Sequence, residues 1–224
     1  MKHSGKRYYP QASFRHTGKI SKGPRYPVQK GAAYVILCVL WESMNPPQKE
    51  FAMNTKILPI LSRRSIRTYT RQPVTDDEVR ALLEAAMSAP SAMATDPWRF
   101  LVLRDHAALS ALADILPYGK MLNEAPLGIV VCGELARAHR QELSYLLQDC
   151  SAAVENLLLA AHLLGLGAVW LGVHPTEDRI TGIRARFGVP EDILPLAAIA
   201  IGRPAEHPAP RTRYNAASVH TGRW

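Results

Sequence analysis

A cluster of arginine and serine residues is the part of the sequence best suited to bind an anion. The run Ser62-Arg63-Arg64-Ser65-Ile66-Arg67 contains three guanidinium groups and two hydroxyl groups within six residues. Guanidinium groups bind phosphate through paired hydrogen bonds, and serine hydroxyl groups can donate to the remaining oxygens. A solvent-exposed basic helix end is the alternative interpretation of such a cluster.

A turn of small residues follows some twenty positions later. Pro90-Ser91-Ala92 directly follows a predicted helix, and its small side chains would let the backbone approach a flat ligand closely. A simple helix-ending loop is the alternative. Trp98, a little further on, is predicted to anchor the hydrophobic core, as large aromatic side chains usually do.

Most familiar catalytic motifs are absent from the sequence. It contains no GxGxxG, GxxxxGK[ST], HExxH, GxSxG or EF-hand pattern, its eight histidines are scattered, and its three cysteines form no CxxC pair. We therefore predict no metal site, and we predict that Cys132 and Cys150 are core residues rather than nucleophiles. Phosphate-binding donors without a catalytic pair are typical of proteins in which a bound cofactor supplies the chemistry.

The net charge of +8 is unevenly distributed. Residues 1–52 contain nine Lys or Arg and two Glu, whereas the remaining 172 residues contain 18 basic and 17 acidic side chains. The nearly neutral body argues against a nucleic-acid partner, although DNA binding through residues 1–31 remains an alternative. The odd number of cysteines and the lack of a long apolar segment predict a cytoplasmic protein with no membrane partner.

The first 52 residues differ from the rest in composition. Residues 1–31 are basic, rich in Gly, Pro and Tyr, and predicted to be disordered, and the apolar run over residues 32–41 is followed by Pro46-Pro47. We interpret residues 1–52 as a basic N-terminal extension or as the product of an upstream start, with Met53 as the natural start. The folded domain is predicted to span residues 53–224.

Regular elements begin after Met53. Apolar periodicity predicts helices over residues 57–61, 76–87, 106–116, 140–164 and 176–187, the second of them capped by Thr75 and Glu78. Continuous apolar runs predict strands over residues 100–103, 127–133, 168–173 and 195–202. Such strands are typical of a sheet covered by helices on both faces. Residues 203–224 form a tail without a core of its own.

The ordered set of motifs resembles the FMN-dependent nitroreductase family. The resemblance runs through the arginine cluster, Pro73-Val74, residues 82–86 and 89–92, Pro97-Trp98-Arg99-Phe100, Asp149, residues 156–161 and 165–172, Ile201-Gly202-Arg203-Pro204, Val219-His220 and Trp224. It implies an α+β fold with three α-β-α layers, a central mixed five-stranded sheet and an intertwined homodimer. The C-terminal tail would then embrace the partner subunit.

The resemblance also implies a cofactor site for FMN. Arg63, Arg64 and Ser65 would bind the phosphate and ribityl chain, and Arg67 would lie near the N1–O2 edge of the ring, where a cation stabilises the reduced anion. Residues implied to flank the ring are Trp170, Leu171 and Gly172 of one subunit and Pro90, Ser91 and Ala92 of the other. Arg213 of the tail would add a phosphate contact.

The implied activity is that of an FMN-dependent NAD(P)H oxidoreductase. NADH or NADPH would act as a transient reductant, and a small-molecule acceptor such as a nitroaromatic compound or a quinone would follow in a ping-pong order. No side-chain acid or base is needed, so no residue is assigned as catalytic. A non-catalytic flavin-binding or sensing module on the same fold is an alternative.

One departure from the family pattern lies just before Pro97. The family often has Asn, one further residue and Gln there, whereas this chain has Ala94, Thr95 and Asp96. Ala94 cannot donate a side-chain hydrogen bond, so the flavin potential or acceptor range is expected to differ. A carboxylate at this point is similar to the deiodinase-like branch of the superfamily, which makes reductive dehalogenation a further alternative.

Overall fold

The structure is a computed structural model that describes residues 55–224. Residues 1–52, including Cys38, lie outside the described residues, so their interpretation as an N-terminal extension stays a prediction. Of the predicted folded domain, residues 53–224, the structure describes all but the first two residues.

Five α-helices surround the sheet in the described residues. They are α1 (Leu58–Ser62), α2 (Asp76–Met87), α3 (His106–Ile115), α4 (Leu143–Leu163) and α5 (Glu177–Phe187). Short 3-10 turns cover Thr55–Ile57, Ala92–Ala94, Lys120–Asn123, Leu135–Arg137, His139–Gln141 and Ala216–Ser218. The predicted helices are thus all present, with ends that differ by up to three residues.

Local chemistry explains where two of these helices begin. The Thr75 side chain accepts from the backbone N–H of Glu78, and the Glu78 carboxylate accepts from the backbone N–H of Thr75, so the predicted capping box at α2 is confirmed. Helix α4 begins at Leu143 rather than at the predicted Arg140. Arg140 and Gln141 have φ values of 57° and 56°, which are incompatible with a right-handed helix.

The sheet contains β1 (Trp98–Leu103), β2 (Leu127–Glu134), β3 (Gly167–Gly172) and β4 (Ile193–Gly202). Their order is β1-β2-β4-β3, and every neighbouring pair is antiparallel. Strands β1 and β3 are therefore the two edges of the sheet. Strand β3 pairs with β4 in the register that begins with Gly167↔Gly202.

The sheet differs from the expected mixed, five-stranded one. The described residues form four antiparallel strands, and the one parallel contact beside β3 is an isolated bridge between Ser65 and Ala168. A fifth strand at this edge would have to come from a segment not paired here.

Two hydrophobic cores cover the two faces of the sheet, which confirms the three-layer α+β arrangement. One face packs against α2 and α4 around Leu82, Leu157 and Ile199, and the other packs against α3 and α5 around Leu112 and Ile180. All five of these side chains are fully or almost fully buried. The apolar runs of β2 and β4 are buried on both faces, as their composition predicts.

Three side chains predicted to be structural are indeed buried. Trp98 is 6% exposed and lies in the core beside α4. Cys132 and Cys150 are each 2% exposed. Burial raises the pKa of each thiol to about 12, so neither is a thiolate near neutral pH.

Candidate functional site

The arginine cluster lies along the exposed edge of β3. The backbone N–H of Arg63 donates to the Pro59 carbonyl at the end of α1 (3.1 Å), after which the chain becomes extended. The backbone N–H of Ile66 donates to the Ala168 carbonyl (3.0 Å), which fixes the cluster beside the sheet. The end of a helix and one bridge to an edge strand thus position the three arginines.

A cavity of about 390 Å³ opens beside Arg63 and Arg64, and we call it the cationic cavity. Its lining combines basic, apolar and proline residues: Ser62, Arg63, Arg64, Ile66, Leu158, His162, Gly165, Leu166, Ala168, Pro204, Glu206, His207, Pro208 and Pro210. It is thus formed by the arginine cluster, the end of α4, the start of β3 and the first residues of the C-terminal tail.

The two arginines in this cavity have different environments. Arg63 Nε lies 3.4 Å from an oxygen of Glu155, whose side chain is 55% exposed, so this ion pair is screened by water. Arg64 Nε donates to the Ala209 carbonyl at 3.0 Å, and Nη1 donates to the Arg63 carbonyl. Arg64 Nη2 is buried and, within the described residues, has no hydrogen-bond partner.

That unpartnered nitrogen tests whether the cavity fits an anion. A buried polar atom without a partner costs roughly 1–3 kcal/mol, and the cost is larger for a charged group. A phosphate oxygen in the cavity would give Arg64 Nη2 the acceptor that the protein does not supply. The residues present therefore fit a phosphate group, as the resemblance predicts for Arg63 and Arg64.

The cationic cavity also contains Ser62, which belongs to the arginine cluster, and His162, which the sequence analysis did not identify as a site residue. His162 Nε2 lies 2.8 Å from Ser62 Oγ. Burial, followed by the nearby Arg63 and Arg64 charges, lowers the pKa of His162. A single histidine near the end of an apolar helix gives no sequence signal; the only clue was that this helix leads directly into β3.

A second cavity, of about 260 Å³, lies beside the other end of β3, and we call it the aromatic cavity. Its lining residues are Arg67, Leu116, Pro117, Tyr118, Trp170, Leu171, Gly172 and Arg179. The Trp170 side chain is 40% exposed, and Arg179 Nη1 donates to the Gly172 carbonyl at 2.8 Å. The structure therefore brings Arg67 together with Trp170, Leu171 and Gly172, the four residues expected near a flavin ring.

Strand β3 connects the two cavities. Ala168 lines the cationic cavity, and residues 170–172 line the aromatic cavity. With a rise of about 3.3 Å per residue, Ala168 and Gly172 are about 13 Å apart along the strand. An extended ligand with an anionic group at one end and a flat ring at the other matches this arrangement.

The Pro90–Ala92 turn lies apart from the two cavities of its own chain. The backbone N–H of Ala92 donates to Asp149 Oδ1 at 3.0 Å, so α4 holds the turn from the side of its first half. Ser91 Oγ donates to Asp96 Oδ1 at 2.6 Å and accepts from the Asp96 backbone N–H at 3.1 Å. Pro90, Ser91 and Ala92 line neither cavity among the described residues.

The loop after this turn is strained. Met93, Ala94 and Asp96 have φ values of 56°, 53° and 48°, in the left-handed region that residues other than glycine rarely occupy. Such conformations cost energy and are frequent where a loop contacts a ligand. The expected contact between this turn and a flavin ring bound to the other subunit involves two subunits and stays a prediction.

Arg213 also lies away from the two cavities. It belongs to the exposed C-terminal tail and is absent from the described lining of either cavity. Ser65 is exposed beside the cationic cavity and bridges to Ala168. The structure thus assembles Arg63, Arg64 and Arg67 with β3, and it leaves the Pro90–Ala92 turn and Arg213 apart.

A larger cavity, of about 710 Å³, is lined by Tyr69, Arg71, Arg104, His106, Leu109, Asn123, Glu124, Ala125 and Pro126. None of the predicted site residues is among these. Arg104 there already pairs with Asp76 and donates to the Val74 carbonyl. The smaller cationic cavity is the better anion site because Arg63 and Arg64 of the predicted cluster both line it, and Arg64 Nη2 lacks an acceptor among the described residues.

Comparison with known proteins agrees with this arrangement. The family model described as "Nitroreductase family" matches residues 60–118 and 115–203 of this chain. These residues include the arginine cluster, the Pro90–Ala92 turn and the whole sheet. The chain belongs to the Nitroreductase family. The family resemblance inferred from the sequence is therefore confirmed.

Individual relatives extend this result. A Methanothermobacter thermautotrophicus protein with the provisional name NADH dehydrogenase/NAD(P)H nitroreductase is 42% identical over 165 residues, which cover 74% of this chain and 85% of the relative. A Bacteroides thetaiotaomicron protein of the same provisional name has a crystal structure that matches with a TM-score of 0.72 and 42% identity, over 76% of this chain and 99% of that one.

A third member was solved with a cofactor. The structure of a Desulfovibrio desulfuricans protein provisionally described as a nitroreductase, in complex with FMN, matches with a TM-score of 0.65 and 35% identity. The match covers 76% of this chain and 97% of that one. These structures confirm the nitroreductase fold. Separately, no helix within residues 55–224 is long and apolar enough to cross a bilayer.

Proposed function

We propose that this protein is an FMN-dependent NAD(P)H oxidoreductase. The single observation that supports this most directly is the buried, unpartnered Arg64 Nη2 in a cavity at one end of β3, with Arg67 and Trp170 at the other end. The names of the relatives and the FMN complex of the Desulfovibrio protein support the same cofactor and reductant.

In this proposal each end of the site has its own task. Arg63, Arg64 and Ser65 bind the phosphate and ribityl chain, and Arg213 of the partner subunit adds a further phosphate contact. Trp170, Leu171 and Gly172 form the surface against which the ring packs. Arg67 holds a positive charge beside the ring, where it favours the reduced anionic form.

Bound FMN would supply the redox chemistry, by taking a hydride from NADH or NADPH and giving electrons to an acceptor such as a nitroaromatic compound or a quinone. The protein's own contribution is to bind, orient and exclude water. Consistent with this, no side-chain acid or base is assigned as catalytic. The buried thiols of Cys132 and Cys150, with raised pKa values, are not suited to such a role either.

We further propose a ping-pong order. The chain has no GxGxxG fingerprint that would give a nicotinamide cofactor a separate docking site. In this proposal the reductant and the acceptor therefore bind in turn against the same face of the ring. Parallel lines in double-reciprocal plots of rate against NADH concentration, at several quinone concentrations, are the expected result.

The active form is proposed to be a homodimer. Pro90, Ser91, Ala92 and Arg213 do not reach the cavities of their own chain, so a second subunit would have to supply them. Apolar side chains that a monomer would leave in water support this, including Ile60 (58% exposed), Leu163 (63%) and Met93 (79%). Light scattering after size-exclusion chromatography should give twice the chain mass.

The direct test is the visible absorbance spectrum of the purified protein after incubation with FMN and removal of the free cofactor. The expected result is a flavin spectrum that bleaches without oxygen when NADH or NADPH is added and returns when a quinone follows. A protein that retains no FMN would contradict the proposal. Retained FMN without steady-state NAD(P)H consumption would instead indicate the non-catalytic flavin-binding module.

A further inference from the structure

We infer that His162 and Ser62 form a proton-dependent donor pair for the phosphate group of the bound flavin, so that FMN binds more tightly as the imidazole becomes protonated. The inference rests on the proposed function, because it assumes that the cationic cavity binds the FMN phosphate. It adds two residues that the family resemblance did not assign, and it predicts how cofactor affinity responds to pH.

The geometry places the pair in the cavity from two different helices. Ser62 is the last residue of α1, directly before Arg63, and His162 lies next to the end of α4. Both line the cationic cavity, with 2.8 Å between Ser62 Oγ and His162 Nε2. Neither side chain is exposed, and the distance corresponds to a well-formed hydrogen bond.

The protonation state of His162 decides what Ser62 can offer an anion. With Nε2 unprotonated, the ring accepts the hydroxyl hydrogen of Ser62, which is then unavailable to a ligand. With both nitrogens protonated, Nε2–H donates to Ser62 Oγ, and the hydroxyl hydrogen is free to turn away from the ring. Its alternative acceptor in the protein, the Pro59 carbonyl, lies 3.4 Å away and is a weak partner. A phosphate oxygen would be a better one.

The charged groups around His162 keep it neutral in the free protein. Burial and the positive charges of Arg63 and Arg64 lower the pKa of His162. Two further ionisable groups, Glu206 and His207, enter the cavity from the tail. The Glu206 carboxylate accepts hydrogen bonds from the backbone N–H groups of Arg67 (2.5 Å) and Thr68 (3.1 Å), so it is engaged away from the imidazole.

A phosphate dianion reverses this balance. It places negative charge among the arginines that disfavour protonation, and it accepts hydrogen bonds that the protonated pair can donate. The pKa of His162 must therefore rise on binding, and by linkage FMN must bind more tightly as the pH falls. A rise of one pKa unit corresponds to a tenfold limit in affinity. Because the pKa of His162 starts below its usual value of about 6.5, only part of this limit is reached: we expect the FMN Kd to fall about two- to fourfold between about pH 8 and about pH 6.5, a range in which the phosphate remains mostly dianionic.

The experiment measures the Kd of FMN by quenching of flavin fluorescence across this pH range. The wild-type protein is compared with His162→Gln, which keeps a polar side chain of similar length, and with Ser62→Ala. His207→Gln is the matched control, because His207 is a second histidine that lines the same cavity. Far-UV circular dichroism and a thermal melt verify that each variant is folded.

The wild-type protein and His207→Gln should show this two- to fourfold fall in Kd, whereas His162→Gln should change by less than about 1.5-fold over the same range. Ser62→Ala should lose most of the effect. Riboflavin, which lacks the phosphate, should bind with no such pH dependence. Calorimetry at about pH 7 in two buffers of different ionisation enthalpy should detect proton uptake on FMN binding, and His162→Gln should lose it.

The possible failures are distinguishable. If the wild-type protein binds no FMN at any pH, the proposed function itself is wrong. If FMN binds and the pH dependence persists in His162→Gln, or is lost in His207→Gln instead, the inference is wrong while the proposed function stands. A pH dependence equally strong with riboflavin would also overturn it, because the phosphate would then not be involved.

Discussion

Replacement of Arg64 by methionine should separate cofactor affinity from the stability of the free protein. Methionine keeps most of the apolar length of the arginine stem and removes the guanidinium group. In the free protein this loses the bonds to the Ala209 and Arg63 carbonyls, each worth roughly 1 kcal/mol. It also removes the buried, unpartnered Nη2, whose cost of roughly 1–3 kcal/mol is thereby relieved. The two effects nearly cancel, so the free energy of unfolding should change by less than about 1 kcal/mol.

The same substitution should have a large effect on the complex. A hydrogen bond between a guanidinium group and a phosphate contributes roughly 1.5–3 kcal/mol, which corresponds to an increase of about ten- to one-hundred-fold in the Kd of FMN. Fluorescence titration measures the Kd, and urea denaturation without FMN measures the stability. Arg63→Ala should also weaken FMN retention strongly, because Arg63 lines the same cavity.

Arg80→Met is the matched control for this experiment. Arg80 is an exposed arginine of α2 that pairs with Glu84, and it does not line the cationic cavity. This variant should leave the Kd of FMN unchanged. If Arg64→Met binds FMN as tightly as the wild-type protein does, the phosphate does not lie in the cationic cavity and the reasoning fails.

Four further predictions concern the same part of the fold. Gly172→Ala should leave the free protein as stable as the wild type, since an added Cβ would meet no atom within 4 Å, but should weaken FMN binding if a ring packs there; unchanged affinity would refute that packing. Gly167→Ala should instead lower the free energy of unfolding by roughly 1–3 kcal/mol, because the added Cβ would come within 2.6 Å of the buried Ile66 side chain. Mixing Arg64→Met with Ala92→Trp should restore one FMN site per mixed dimer, and no restoration would contradict a site shared between subunits. Without FMN, His162 should lower the free energy of unfolding as the pH falls from about 6.5 through its lowered pKa, because the unfolded chain then binds a proton that the folded protein does not. Urea denaturation of the wild-type protein and of His162→Gln at about pH 7 and about pH 5.5 measures this difference. An equal loss of unfolding free energy in the two proteins would contradict the prediction.

Much of the fold was predictable because local signals agreed with the tertiary structure. The Thr75–Glu78 capping box, the apolar periodicity of α2 and the apolar runs of β2 and β4 each specify an element without reference to the rest of the chain. The number and direction of strands were not predictable in this way. They depend on pairings between segments far apart in the chain; the chain around Ser65, for example, pairs with β3 through a single isolated bridge.

The site was only partly predictable for a related reason. Arg63, Arg64 and Arg67 are adjacent in sequence, so their clustering is visible before the fold is known. His162 reaches the same cavity from a position one hundred residues away from Ser62, and nothing in its own neighbourhood distinguishes it from a surface histidine. The unpartnered nitrogen of Arg64 is likewise a property of packing, and no sequence pattern reports it.

The departure from the family pattern before Pro97 now has a physical explanation. Asp96 has a left-handed backbone conformation and forms a reciprocal pair with Ser91, using both its carboxylate and its backbone N–H. The carboxylate therefore braces the same strained loop that contains Met93 and Ala94. The energy stored in the loop, at roughly 1–3 kcal/mol for each unusual residue, is offset by this pair and by the bond from Ala92 to Asp149. A loop held so firmly without a side-chain donor at position 94 is suited to contact a ring through its backbone, which favours a role in binding the cofactor over a role in recognising a halogenated substrate.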